Sequence, residues 1–196
     1  MSNRNEDLAR ITKRLMLSEP FYGLFLMGLN KKWSQRIDTA GVSKNGISYQ
    51  LYINELFWDS LIDNWKRMLV KHELLHLVFF HIEHYDRYQD KTLANIAADI
   101  EVNQYIDEGW LPLFNQPYTD YKKQNEALMT SLKKELAAGT KTREDAVEEL
   151  RKLPPRGVYL HDFPELNLEP KMGMKYYYDM LMKAKGKSPK EGGSEC

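Results

Sequence analysis

The sequence predicts a mostly helical α+β fold: a long helix bearing a histidine cluster, packed on a second helix and a small β-hairpin or sheet, with a helical hairpin inserted later in the chain. Three observations carry this. Most segments place apolar residues at helical spacing. One stretch, "GISYQLYIN" (46–54), instead alternates Ile47, Tyr49, Leu51 and Ile53 with Ser48, Gln50, Tyr52 and Asn54, the period of a half-buried strand. Residues 119–153 are rich in Lys, Glu, Leu and Ala and break once, at "GTKT", as two short helices would.

Taken in order, Leu8, Ile11 and Leu15 mark a first helix over 5–18, ending before Pro20. "FYGLFLMGLNKKW" (21–33) is apolar without a decisive period, fits a second helix or a strand, and is read as a helix. "SKNG" offers a turn into the strand, whose partner is expected around 35–42. A long helix follows from Asp63 to Tyr88, with Asp63 or Asn64 as cap, then another from Leu93 to Ile106, closed by Gly109 and Pro112. Thr142 and Asp145 stand in capping-box spacing before the second arm of the hairpin. "LPPRGVYLHDFPELNLEP" reads as an irregular loop and "MKYYYDMLMKAKG" as a last helix with lysines at its C-terminal end. The expected organisation is a core over 1–115, the hairpin insert over 116–155, a loop and helix completing the domain over 156–186, and a flexible tail over 187–196.

Lys plus Arg and Asp plus Glu both number 28, so the chain has no net charge. Proteins devoted to nucleic acid or anionic membranes usually carry a basic excess, and neither partner is expected. The single cysteine, Cys196, rules out an intramolecular disulfide, and no apolar run approaches the ~20 residues of a membrane span. The amino terminus mixes charge signs and has no apolar signal core, so a cytoplasmic location is expected.

The chemistry is concentrated in "KHELLHLVFFHIEHY" (71–85), which holds four of the five histidines. His72, Glu73 and His76 form H-E-x-x-H. On a helix, residues four apart are turned by about 40°, so both imidazoles point one way and can grip one ion. Glu73 lies too far round to be a third ligand but can reach a water on the open side, as in zincins. Nitrogen donors favour zinc, one per chain. His81, five residues past His76, is turned by about 140° on a continuous helix, and "LVFF" supplies no glycine for a bend; it is read as an outer or surface group, as is His84.

In "NIAADIEVNQYI", Asn95, Asp99 and Asn103 recur every four residues and make a polar seam. Asp99 is placed either to give a carboxylate oxygen to the ion or to pair with a buried Arg or Lys, while Asn95 and Asn103 suit supporting hydrogen bonds. Glu101, about 200° round from Asp99, cannot face the same point. His161, in the late loop, is a candidate to fold over the site.

The run "PFYGLFLMGL…IDTAGVSKNGISYQLYINELFW…HELLHLVFFHIEHY…ANIAADIEVNQYI", about residues 20–112, resembles the zinc metallopeptidase domain (H-E-x-x-H, zincin-like) of bacterial and phage proteins, often found ahead of a VWA-like domain. The resemblance implies His72, His76 and Asp99 as ligands and Glu73 as general base. "NIAAD" followed by "VNQ" is its more specific part; the 116–160 stretch has no counterpart in it, and these 196 residues hold no VWA-like domain. The function expected is hydrolysis of a peptide or protein substrate, with the oxyanion donor among His161, Tyr118 and the tyrosines of the last helix, and the 46–54 strand pairing with an extended substrate. Two rival readings are a non-catalytic, metal-holding interaction module that meets a partner through the 119–153 hairpin, and a hydrolase of non-peptide amides. Glu73 and the absence of cysteine near the motif favour an open, catalytic centre over a closed structural one.

Overall fold

A computed structural model describes residues 3–106, 118–153 and 155–187. Helix α1 (Arg4–Ser18) turns sharply at Glu19 into α2 (Pro20–Gly28), with Pro20 in the first turn, where its missing N–H costs nothing. The segment read as one helix over 21–33 divides here. Asn30–Trp33 leaves the helix as β1 and pairs in parallel with β3 (Ser48–Ile53), from Asn30↔Gln50 to Trp33↔Ile53. Four residues are too few to show a period, and the sheet supplies the hydrogen bonds that decide the conformation.

β2 (Ala40–Asn45), a little later than expected, pairs antiparallel with β3, giving the order β1-β3-β2. Asn45 and Ser48 close the ladder, and Gly46 takes the left-handed tip position at φ 63°. Ile47, counted with the strand by its alternation, is fully exposed at that tip. Since β3 is the central strand, flanked by β1 and β2, the outer edges that a substrate can join belong to those two strands and not, as expected, to the 46–54 strand.

After a short α3 (Glu55–Ser60) comes α4 (Asp63–Val78). Neither expected residue caps it: Ile62 is the cap and makes no side-chain capping hydrogen bond, while the Asp63 carboxylate accepts from Arg10 and Arg14. Buried Met68, Leu69, Val70, Leu74, Leu75 and Leu77 surround α4 on several sides, which makes it the central helix.

The helix expected to run on to Tyr88 stops at Val78. Phe80 adopts φ 57° and ψ 29°, its N–H bonds to Leu77 O at 3.1 Å, and the chain restarts as α5 (His81–His84) in a new direction. This is a left-handed helix stop of the kind glycine usually provides, made here by a phenylalanine. α6 (Lys91–Asn103) is capped by Asp90, whose side chain accepts from Leu93 N. Ala94, Ala97 and Ala98 let it lie close against α9 (Met174–Lys187), where Tyr177, Tyr178 and Leu181 complete a second core. The closing residues Gly109 and Pro112 and the 188–196 tail lie outside the described residues.

The 119–153 segment forms two helices, α7 (Tyr118–Ala137) and α8 (Arg143–Arg151). Thr142 caps the latter, accepting from Asp145 N at 3.1 Å and donating to Asp145 Oδ2 at 2.6 Å. Leu56 of α3 inserts among Met129, Leu132, Ala146 and Leu150, and Asp59 accepts from both Arg4 and Arg143, so the hairpin is fastened to the body by a small core and an ion-pair cluster. No helix among the described residues is long and apolar enough to cross a membrane.

Candidate metal centre

α4 and α6 meet where their polar seams face each other. His72 and His76, one turn apart on α4, bring their Nε2 atoms to 3.0 Å, and Asp99 Oδ1 of α6 stands 3.4 Å and 3.2 Å from them. Among the described residues this is the one cluster of metal-ligating type whose donor atoms converge. Its dimensions can be tested against an ion. Donors about 2.0–2.1 Å from a tetrahedral centre are about 3.3–3.4 Å apart, close to the sides of this triangle. Two imidazoles and one carboxylate also leave a fourth position, and the partial exposure of the side chains (13%, 13% and 28%) keeps that side accessible. The residues therefore fit a divalent cation of the zinc type.

The outer ring nitrogens are engaged too, which fixes how the rings point. His72 Nδ1 is 2.9 Å from Asn103 Oδ1, and Asn103 in turn donates from Nδ2 to Val158 O at 2.9 Å. His76 Nδ1 is 2.9 Å from His81 Nδ1, and His81 Nε2 is 3.0 Å from Glu101 Oε2. The turn at Phe80 is what brings His81 back inside, so the 140° separation of a straight helix does not apply. Glu101 does not face the triad, as its spacing requires, yet it stands behind it through His81.

The ionisation of the ion-free centre shows how strongly these groups act on one another. Burial works against a charged His72, but the hydrogen bond and the charge of Asp99 outweigh it and lift its pKa to about 9. Burial pushes His76 down to about 4, aided by the positive His72 beside it and resisted by Asp99. Burial likewise opposes ionisation of Asp99, yet the two histidines hold it well below the usual carboxylate range. Asp99 thus favours a positive partner at His72, a place that a cation bound between these donors would take over from the proton.

Glu73 is 6% exposed, and burial raises its pKa to about 7, with His72 opposing, Asp99 adding to the rise and the Val42 backbone amide bonding to its carboxylate. Two cavities, of about 290 Å³ and 390 Å³, flank the centre and share Thr39, His72, Glu73, Asp99, Tyr118 and Lys122. The larger is walled by Thr39–Val42 along β2, by Ile82 and by Asn95, which stands exposed one turn before Asp99. The smaller runs under α7 to Tyr121, Asn103 and the 155–158 segment. Burial raises the pKa of Tyr118 well above the usual phenol range, and Asp99 adds to the rise, so it keeps its O–H.

The structure does not bring His161 into the site: it is exposed, stacks on Tyr159 with ring centroids 5.5 Å apart, and lines neither cavity. The late loop enters through other residues. Arg156, tied to Asp162 and lying over the Tyr118 ring, Gly157 and Val158 close the smaller cavity. "LPPRGVY" marks a turn in the sequence, but nothing in it tells which histidine side chain it will meet. The inward turn of His81 and the hold of Glu101 upon it have no sequence signal either, since twenty residues separate the two on different helices.

A family model described as "Putative metallopeptidase domain" matches residues 3–152, which takes in α7 and α8 as well as the centre. Comparisons with curated proteins and with solved structures found no match.

Proposed function

The chain belongs to that metallopeptidase domain family, and on this footing we propose that it hydrolyses peptide bonds with one zinc ion held by His72, His76 and Asp99. The observation that carries the reading is the donor triangle beside a buried Glu73, open on one side and bordered by the outer edge of β2. When bound, the ion supplies Lewis acidity, polarising the scissile carbonyl and acidifying a water molecule.

The chain's own groups do the rest. An extended peptide lies along the outer edge of β2 beside Ala40–Val42, held by the main-chain groups that Glu73 leaves open, and this places a carbonyl over the triad. Glu73 takes a proton from the attacking water and returns it to the departing nitrogen. A pKa raised to about 7 by burial suits the return step, and a neighbouring cation favours the ionised form needed for the first. Tyr118, protonated and shared by both cavities, donates to the developing oxyanion. Asn103 holds His72, and Asn95 at the rim of the larger cavity meets the substrate backbone.

Metal analysis of protein purified without chelators should find one zinc per chain, and Asp99→Ala should lose it. Glu73→Gln should keep the zinc and abolish cleavage of a peptide library. A Glu73→Gln protein that cleaves as fast as the parent refutes the assignment. A parent that binds zinc and cleaves no peptide points instead to a non-catalytic, metal-holding interaction module.

A further inference from the structure

We propose that His81 is a positioning residue: with Glu101 behind it, it fixes the tautomer and ring orientation of His76 and so governs how tightly the centre holds its ion. The inference rests on the reading of His76 as a ligand. If Nε2 of His76 faces the ion, its proton is on Nδ1, and that N–H can only donate. Its neighbour at 2.9 Å is His81 Nδ1, which must then accept. The His81 proton is thereby placed on Nε2, 3.0 Å from the Glu101 carboxylate, which accepts it. Each hydrogen bond determines the next, and the chain ends on an anion that raises the donor strength of His76 towards a cation.

Other features of the structure point the same way. His81 is 3% exposed and both of its ring nitrogens are engaged within this chain of contacts, so it is a buried polar group aimed at the centre rather than a surface residue. Its position depends on the left-handed Phe80, a conformation disfavoured for a residue with a side chain. Glu101 is itself fixed from a second direction, accepting the Met174 N–H at the start of α9 at 2.5 Å. The two ligating rings are thus supported differently: His72 by a neutral amide that leads to the 155–158 loop, His76 by an imidazole and a carboxylate that lead to α9.

The test is zinc affinity at one fixed pH, by competition with a chromophoric chelator, together with the visible spectrum of the cobalt-substituted protein. His81→Phe fills the space without the hydrogen bonds and should weaken zinc binding by about 10–100-fold and alter the cobalt bands. His81→Gln offers a carbonyl to His76 and an N–H to Glu101, and should recover most of the loss. Glu101→Gln, nearly isosteric and still able to accept from Met174 N–H, should cost on the order of tenfold. Packing alone predicts the opposite order, with Phe tolerated better than Gln, and that result overturns the proposal, as does a Glu101→Gln protein with parental affinity and cobalt spectrum. A parent chain that binds neither zinc nor cobalt overturns the metal centre itself, a result distinct from either of these.

Discussion

Gly157 touches no donor atom of the centre, yet replacing it with alanine should loosen the ion. A Cβ at this position would lie 2.7 Å from Asn103 Nδ2 and 3.0 Å from Tyr159 Cε2. Comfortable contact needs about 3.5 Å, so the Asn103 amide must retreat by roughly 0.8 Å. It has little room to do so, being 2% exposed and held at 2.9 Å both by Val158 O and by His72 Nδ1. A retreat of that size takes the bond to His72 beyond about 3.5 Å, where it no longer holds the ring. Loss of such a supporting bond costs about 10–100-fold in metal affinity, or ~1.4–2.7 kcal/mol. Chelator competition measures it directly, and the smaller thermal stabilisation by added zinc measures it again. Gly173→Ala is the control, because a Cβ there meets nothing within 4 Å. A folded Gly157→Ala protein with parental zinc affinity would refute the claim that the loop positions His72 through Asn103.

Two further outcomes concern stability. Burial holds Glu73 at about 7, above its ordinary 4.5, so the folded, metal-free chain binds this proton more tightly than the unfolded one. That contribution is complete below about pH 4.5 and is lost as pH rises through about 7, so metal-free Glu73→Gln should gain on the parent across this interval, by up to about 3 kcal/mol in urea melts. A gap between the two proteins that does not vary with pH contradicts this. Phe80→Gly relieves the left-handed strain and removes a ring that is 60% exposed, so it should stabilise the protein by roughly 0.5–1 kcal/mol in denaturant melts while leaving zinc affinity unchanged. Destabilisation would mean that the exposed ring, not the turn, is what position 80 contributes.

The sequence by itself determined the parts of this protein that depend on short-range spacing. His72 and His76 share a helix face because four residues make one turn, and Asn95, Asp99 and Asn103 form a second polar seam for the same reason. Alternation revealed β3, and Thr142 with Asp145 marked the start of α8. What the tertiary structure decided is whatever depends on contacts between segments far apart in the chain. β1 is a strand only because β3 lies beside it, and β3 offers no outer edge because β1 and β2 occupy its two sides. His81 turns inward because a helix stop at Phe80 is made worthwhile by Glu101 from α6, and His161 stays outside while Gly157 and Val158 close on Asn103 in its place. Helical and strand periods are properties of the local backbone and can be read from the residues in order. Which side chain meets which across the core is settled by packing and by the need to satisfy every buried polar group at once, and no local pattern encodes that.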